Sequence, residues 1–147
     1  MKHTSTEELR KVAEVYPEQP RTVVMSRAER LERWAHLLEK DPARRLNTLH
    51  ETEFQLGAAQ AEMRADDSPI SVAFADPYLR AAGLKNDTYG EAKRFFEVTD
   101  WQLHDILCYC HYGVSMSAAT ATRGVRAAMN GGRGDGIFSR MRWAVAR

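Results

Sequence analysis

The stretch from Thr99 to Gly113, Thr-Asp-Trp-Gln-Leu-His-Asp-Ile-Leu-Cys-Tyr-Cys-His-Tyr-Gly, constrains the fold more than any other. Helix signals mark both of its ends. Thr99 followed by Gln102 matches a capping box, in which each side chain satisfies the other residue's backbone N–H. Asp100 places negative charge where the helix dipole favours it, and Gly113 suits the left-handed residue that closes a helix. At about 100° per residue, Leu103, Ile106, Leu107 and Cys110 share one apolar side. The opposite side gathers Trp101, His104, Asp105, Cys108, His111 and Tyr112, with no Lys, Arg or Glu. A helix lacking a solvated charged face is buried on most sides, so this reading places a central helix at about 100–112.

The remaining start and stop signals cut the chain into short pieces. Ser5 with Glu8 opens a helix over 5–16, which Pro17 and Pro20 end. Ser26 with Glu29 restarts the pattern, and a helix from Arg27 to Lys40 puts Leu31, Trp34, Ala35 and Leu38 on one face. Asp41-Pro42 stops it and predicts a further helical turn through Leu46. Residues 47–68 are read as loop with a short helix over Ala58 to Ala65. Ser68-Pro69 opens the apolar run Ile70 to Ala75, the best strand candidate in the chain, although a run this short also suits a buried helix. Asp76-Pro77 predicts a helix ending at Gly83, and Asp87 or Thr88 starts another with Tyr89, Ala92 and Phe96 facing inward. The last predicted core helix begins at Ser115 or Ser117 and runs to about Met129, with Asn130-Gly131 closing it. Its inner positions, Ala118, Ala121, Thr122, Val125 and Met129, include small side chains that permit close approach, so it is paired with the central helix. The expected fold is all-α, a compact bundle of five to seven short helices, with 70–75 as the single strand candidate. The expected organisation is an N-terminal appendage over 1–25, a core domain over 26–130, and a Gly-rich linker with an amphipathic basic tail over 131–147.

A chain of 147 residues can bury roughly 70% of its unfolded surface as one domain. It contains no apolar run of membrane-spanning length and no apolar signal-peptide core, so a cytoplasmic protein with reduced thiols is expected. A net charge of +1 argues against generic nucleic-acid binding. The charge is uneven, however. From His111 onward six arginines face Asp135 alone, whereas the first 110 residues carry 15 basic and 19 acidic side chains.

His104, Cys108 and His111, spaced i, i+4 and i+7, would lie along one face of an unbroken helix. Such residues can hold zinc or another transition metal, with Asp105, His50 or Glu51 completing the set. Cys108 with a histidine base and Asp105 or His50 as orienting group would also make a nucleophile. Against both stands plain packing, in which each imidazole N–H finds a carbonyl and the thiol fills space. No paired Cys-x-x-Cys or His-x-x-x-His announces a metal site, no catalytic motif is complete, and no cofactor is predicted. His50-Glu51-Thr52-Glu53 lacks a second histidine at i+4. The glycine-rich run after Met129 contains no lysine and follows a helix, unlike phosphate-binding loops.

The sequence therefore reads first as a protein-interaction or regulatory module, with Trp101, Tyr112, Arg140, Arg142 and Trp143 as candidate partner-binding residues. The partner is another protein or a second copy; nucleic acid enters only through the basic tail, and no membrane is involved. A homodimer is expected, because the helix at 27–40 together with Ile137, Phe138, Met141 and Trp143 offers more apolar surface than one small bundle needs. The competing class is a metal-binding or thiol-dependent enzyme built on His104, Cys108 and His111.

Overall fold

A computed structural model describes residues 22–50, 55–108 and 112–131. The predicted helix at 5–16, Glu51, Cys110, His111 and the tail from 132 onward lie outside the described residues. Within them the chain is mainly helical, as expected, and carries one small two-stranded sheet.

Helix α1 spans Arg27–Glu39, and its capping box is complete. The Glu29 N–H donates to Ser26 Oγ at 3.2 Å and the Ser26 N–H to Glu29 Oε1 at 2.8 Å. All four predicted inner residues, Leu31, Trp34, Ala35 and Leu38, are buried. Trp34 stacks on Phe96 with centroids 4.1 Å apart, and its Nε1–H donates to the Pro69 carbonyl at 2.9 Å.

The chain after α1 departs from expectation. Instead of a helical turn through Leu46, a strand β1 forms at Arg45–Asn47. The reason lies at the start of the final helix, whose first N–H groups have no intrahelical acceptors. The Ala118 and Ala119 N–H groups donate to Arg44 O and Pro42 O, which draws 42–44 alongside that helix start. Strand β1 then pairs antiparallel with β2, Ser115–Ser117, in a register that buries Leu46 opposite Met116.

Helix α2 spans Gly57–Ala61, shorter than predicted, and α3 spans Pro69–Phe74 where a strand was the candidate. Ser68 caps α3 by accepting from the Ser71 N–H, and Pro69 occupies the first turn, so Ser-Pro acts as a helix start like the Asp-Pro that follows. Ile70 and Ala73, one turn apart, are its buried face. Helix α4, Pro77–Ala81, is capped by Asp76, and Gly83 takes the positive φ of 122° that turns the chain out of it. Helix α5, Tyr89–Phe96, starts at the Thr88 cap and buries Tyr89, Ala92, Phe95 and Phe96. Helix α6 spans Asp100–Leu107, and helix α7 spans Ala118–Met129 with Ser117 as its cap.

Helices α1 and α7 lie side by side in opposite directions. Arg27 Nη2 donates to the Ala128 carbonyl at one end, and Ala119 meets Pro42 at the other. Arg126 of α7 bridges Glu32 and Glu39 of α1 at 2.9 and 2.8 Å. Helix α7 also packs on α6, so the predicted pairing holds, although α7 is shared between α6 and α1. Among the described residues no helix is long and apolar enough to cross a membrane.

Three carboxylates tie the smaller helices together. Asp87 accepts from Arg64 at 2.8 and 2.9 Å and from Ser71, and the Arg64 bonds hold its carboxyl below the usual range against the opposing effect of burial. In Glu91 and Asp100, burial favours the neutral acid, but hydrogen bonds outweigh it, chiefly from Arg94 to Glu91 and from Tyr89 to Asp100. Each group is more acidic folded than unfolded, so each stabilises the fold above the ordinary carboxylate range and less as pH falls below about 4.5. Urea unfolding at pH 7 and pH 3 is expected to show a loss of stability on acidification. In Asp87→Asn that loss becomes smaller and the pH 7 stability lower. An unchanged pH dependence in the variant would refute the assignment of Asp87.

Candidate functional site

Of the predicted chemical face, His104 lies on helix α6 and Cys108 at its C-terminal cap, while His111 lies outside the described residues. Helix α6 ends at Leu107, and Cys108 is extended, with φ −87° and ψ 139°. Segment 45–49 meets the chain on both sides of 109–111, while the Tyr112 N–H still donates to Cys108 O at 3.3 Å. Leu49 forms a parallel bridge with Cys108, and the Leu49 N–H donates to Leu107 O at 2.9 Å. On the other side the Thr48 N–H donates to Val114 O and its hydroxyl to Gly113 O. Segment 48–49 is therefore held between Leu107–Cys108 on one side and Gly113–Val114 on the other, and Cys108 stands just beyond the end of the helix that carries His104.

The pairing sets His50 next in sequence to the residue bridged to Cys108, bringing two of the candidate residues into one neighbourhood. Cys108 is fully buried, with its N–H bonded to His104 O at 3.0 Å. His50 is exposed. Among the described residues no three of His, Cys, Asp and Glu are grouped so as to hold a metal ion; His111 and Glu51 lie outside them.

His104 belongs to a different cluster, at the junction of α5 and α6. The Tyr89 hydroxyl donates to Asp100 Oδ1 at 2.7 Å and lies 3.4 Å from His104 Nε2. Lys93 Nζ is 3.1 Å from Asp100 Oδ2. Burial, then the bond to Asp100, pushes the Tyr89 phenol far above its ordinary value, so it remains a neutral donor. Chemically this arrangement is a clamp: one buried hydroxyl joins the first residue of α5 to the first turn of α6.

The candidate partner residues also separate. Trp101 is half-buried on α6, and Tyr112 packs against the core while its hydroxyl donates to the Asp105 carbonyl. Arg140, Arg142 and Trp143 lie outside the described residues. The apolar face of α1 that suggested a dimer is buried within its own chain.

A groove along the other face of α1 escaped the sequence reading. It has a volume of about 620 Å³ and is lined by Met25, Ala28, Glu29, Glu32, Arg33, His36 and Met129. Residues 25, 28, 29, 32, 33 and 36 follow helical spacing, so one stripe of α1 forms a wall and Met129 of α7 closes one end. Met25 and Met129 rest partly on the core, and Ala28 is exposed between them. The charged rim is largely fixed. Arg33 forms a two-pronged bond with Asp76 at 2.7 and 3.0 Å, and Arg126 holds Glu32. Glu29 is held by the neutral Ser26 N–H, so its charge remains on the rim. The signal that pointed here was Met25 and Ala28 one turn apart on the polar side of α1, masked by the glutamates and arginines between them.

No family model matches the chain, and no curated protein or solved structure matches it either.

Proposed function

We propose that the protein is a cytoplasmic protein-interaction module whose α1 groove receives an amphipathic helix carrying basic residues beside its apolar stripe. The observation that supports this reading is the composition of the groove. Its floor is Met25, Ala28 and Met129, two flexible thioethers around a small side chain, a surface that adapts to varied apolar partners. Glu29 leaves negative charge on a rim whose arginine, Arg33, is already committed to Asp76 of the same chain. Helix-in-groove recognition uses such an apolar floor with a polar rim.

The test is a titration of the full chain with a fluorescent synthetic amphipathic helix bearing leucines on one face and arginines on the other, read by anisotropy. Saturable binding is expected, and Ala28→Glu, which adds charge to an exposed floor position, is expected to weaken it at least tenfold. Glu62→Ala, at an exposed position outside the groove lining, should leave it unchanged. Equal affinity in Ala28→Glu would remove the groove as the binding site. The thiol-enzyme alternative is separated by metal analysis and thiol titration of the same preparation. Stoichiometric zinc, or a Cys108 pKa well below the free value of about 8.5, would favour it.

A further inference from the structure

We propose that the first occupant of the α1 groove is the protein's own C-terminal segment, residues 137–147, which makes the tail an intrinsic competitor of any external partner. The inference rests on the groove reading above. Its starting point is where the described chain stops. Helix α7 ends at Met129, which lines the groove, and Gly131 lies two residues beyond. Because α7 runs opposite to α1, with Ala128 O bonded to Arg27, this exit lies at the Met25 end of the groove. The tail therefore begins at the end of its own docking surface.

Reach and pattern agree with this placement. Gly131 to Gly136 form a six-residue linker with four glycines, whose root-mean-square reach is roughly 12–15 Å. Ala28 and His36 are eight residues apart on α1, roughly 12 Å along the axis, and Met25 and Met129 extend the floor past Ala28. Eleven residues in helical form span roughly 16 Å, enough to cover that floor. Ile137, Phe138, Met141 and Val145 fall at i, i+1, i+4 and i+8, a single apolar stripe at helical spacing. Arg140, Arg142 and Arg147 supply positive charge opposite Glu29. A short linker also gives the tail an effective concentration in the millimolar range, far above a second copy at micromolar concentration. That difference favours the chain's own tail over a dimer partner.

Two measurements on the full chain test this. A photo-crosslinking benzoylphenylalanine placed at Ala28 is expected to join to residues 137–147 of the same chain, read by mass spectrometry of the digested monomer. Crosslinks to residues 1–21, to a second copy, or to nothing would overturn the proposal. In the second, Phe138→Asp is expected to tighten binding of the synthetic helix about tenfold by removing the competitor, with an unchanged circular dichroism melt. If the synthetic helix binds and Ala28→Glu weakens it, but Phe138→Asp leaves affinity unchanged, the tail is not the occupant and the groove reading survives. If Ala28→Glu has no effect, the groove reading itself fails.

Discussion

Trp34→Ala is expected to destabilise the fold by about 3–5 kcal/mol, the range for removing a buried large aromatic ring. Domains of this kind have a total stability of about 5–15 kcal/mol, so the variant would be close to unfolding. Two separate losses combine at this position. The indole is fully buried and stacked on Phe96, which in turn meets Phe95 edge-on at 4.9 Å, so its removal opens a space between α1 and α5. The Pro69 carbonyl also loses its donor at the start of α3. Trp34→Phe keeps a stacking ring and loses the hydrogen bond with a smaller cavity, so it should cost less, about 1–3 kcal/mol. Urea unfolding followed by circular dichroism measures both. Trp34 lies on the inner side of α1 while the groove follows the outer side, so the loss should appear in stability before it appears in helix binding. A Trp34→Ala cost below about 1 kcal/mol would mean that the ring is not part of the core.

The same residue shows why much of the fold was legible in the sequence. Trp34 belongs to the stripe Leu31, Trp34, Ala35, Leu38, whose spacing and capping box fix α1 without knowledge of any neighbour. The caps at Thr88, Thr99 and Ser117 are equally local, since each is a side chain bonding an N–H three residues on. What stayed hidden depends on distant residues. Nothing near Arg45 says that Arg44 O will accept from Ala118, and nothing near Cys108 says that Leu49 will take its place in the ladder. Both are consequences of where segments far apart in the chain meet, and both replace helix with extended chain.

The candidate face was legible only in part for the same reason. An unbroken helix carries His104 and Cys108 on one face, whereas helix α6 ends at Leu107 and Cys108, bridged to Leu49, takes an extended conformation. His104 then faces Tyr89, an aromatic assigned to the core without its hydroxyl being considered. The α1 groove was missed because its floor is made by two elements. Met25 and Ala28 look like incidental apolar residues on a charged face until Met129 arrives from α7. Met129 itself was read as an inner residue and is one only in part.

Gly124→Val is expected to cost about 1–3 kcal/mol or more, and Gly124→Ala is expected to destabilise as well, reversing the usual sign. In an ordinary helix interior, replacing glycine with alanine gains about 1 kcal/mol, because the unfolded chain loses freedom. Gly124 lies in the middle of α7, where that gain would apply. A Cβ built there, however, would sit 2.9 Å from the Asp105 carbonyl oxygen, 3.0 Å from Ile106 Cγ1 and 3.1 Å from Ile106 Cα. Two of those atoms are backbone, so relief requires α6 and α7 to move apart rather than a side chain to rotate. Overpacking of this kind costs about 1–3 kcal/mol, enough to outweigh the helix-propensity gain. Ala127, half-buried on the same helix, provides the contrast: Ala127→Gly should lose about 1 kcal/mol through propensity alone. The two neighbouring positions thus respond in the same direction to opposite substitutions, one through contact and the other through chain entropy. The contact also reaches the 108–114 stretch, because the Asp105 carbonyl that a Cβ would strike is the acceptor of the Tyr112 hydroxyl. Amide exchange at Tyr112 in Gly124→Ala is therefore expected to speed up beyond what the global loss of stability accounts for. A Gly124→Ala protein that melts higher than the wild type would show that α6 and α7 do not approach this closely.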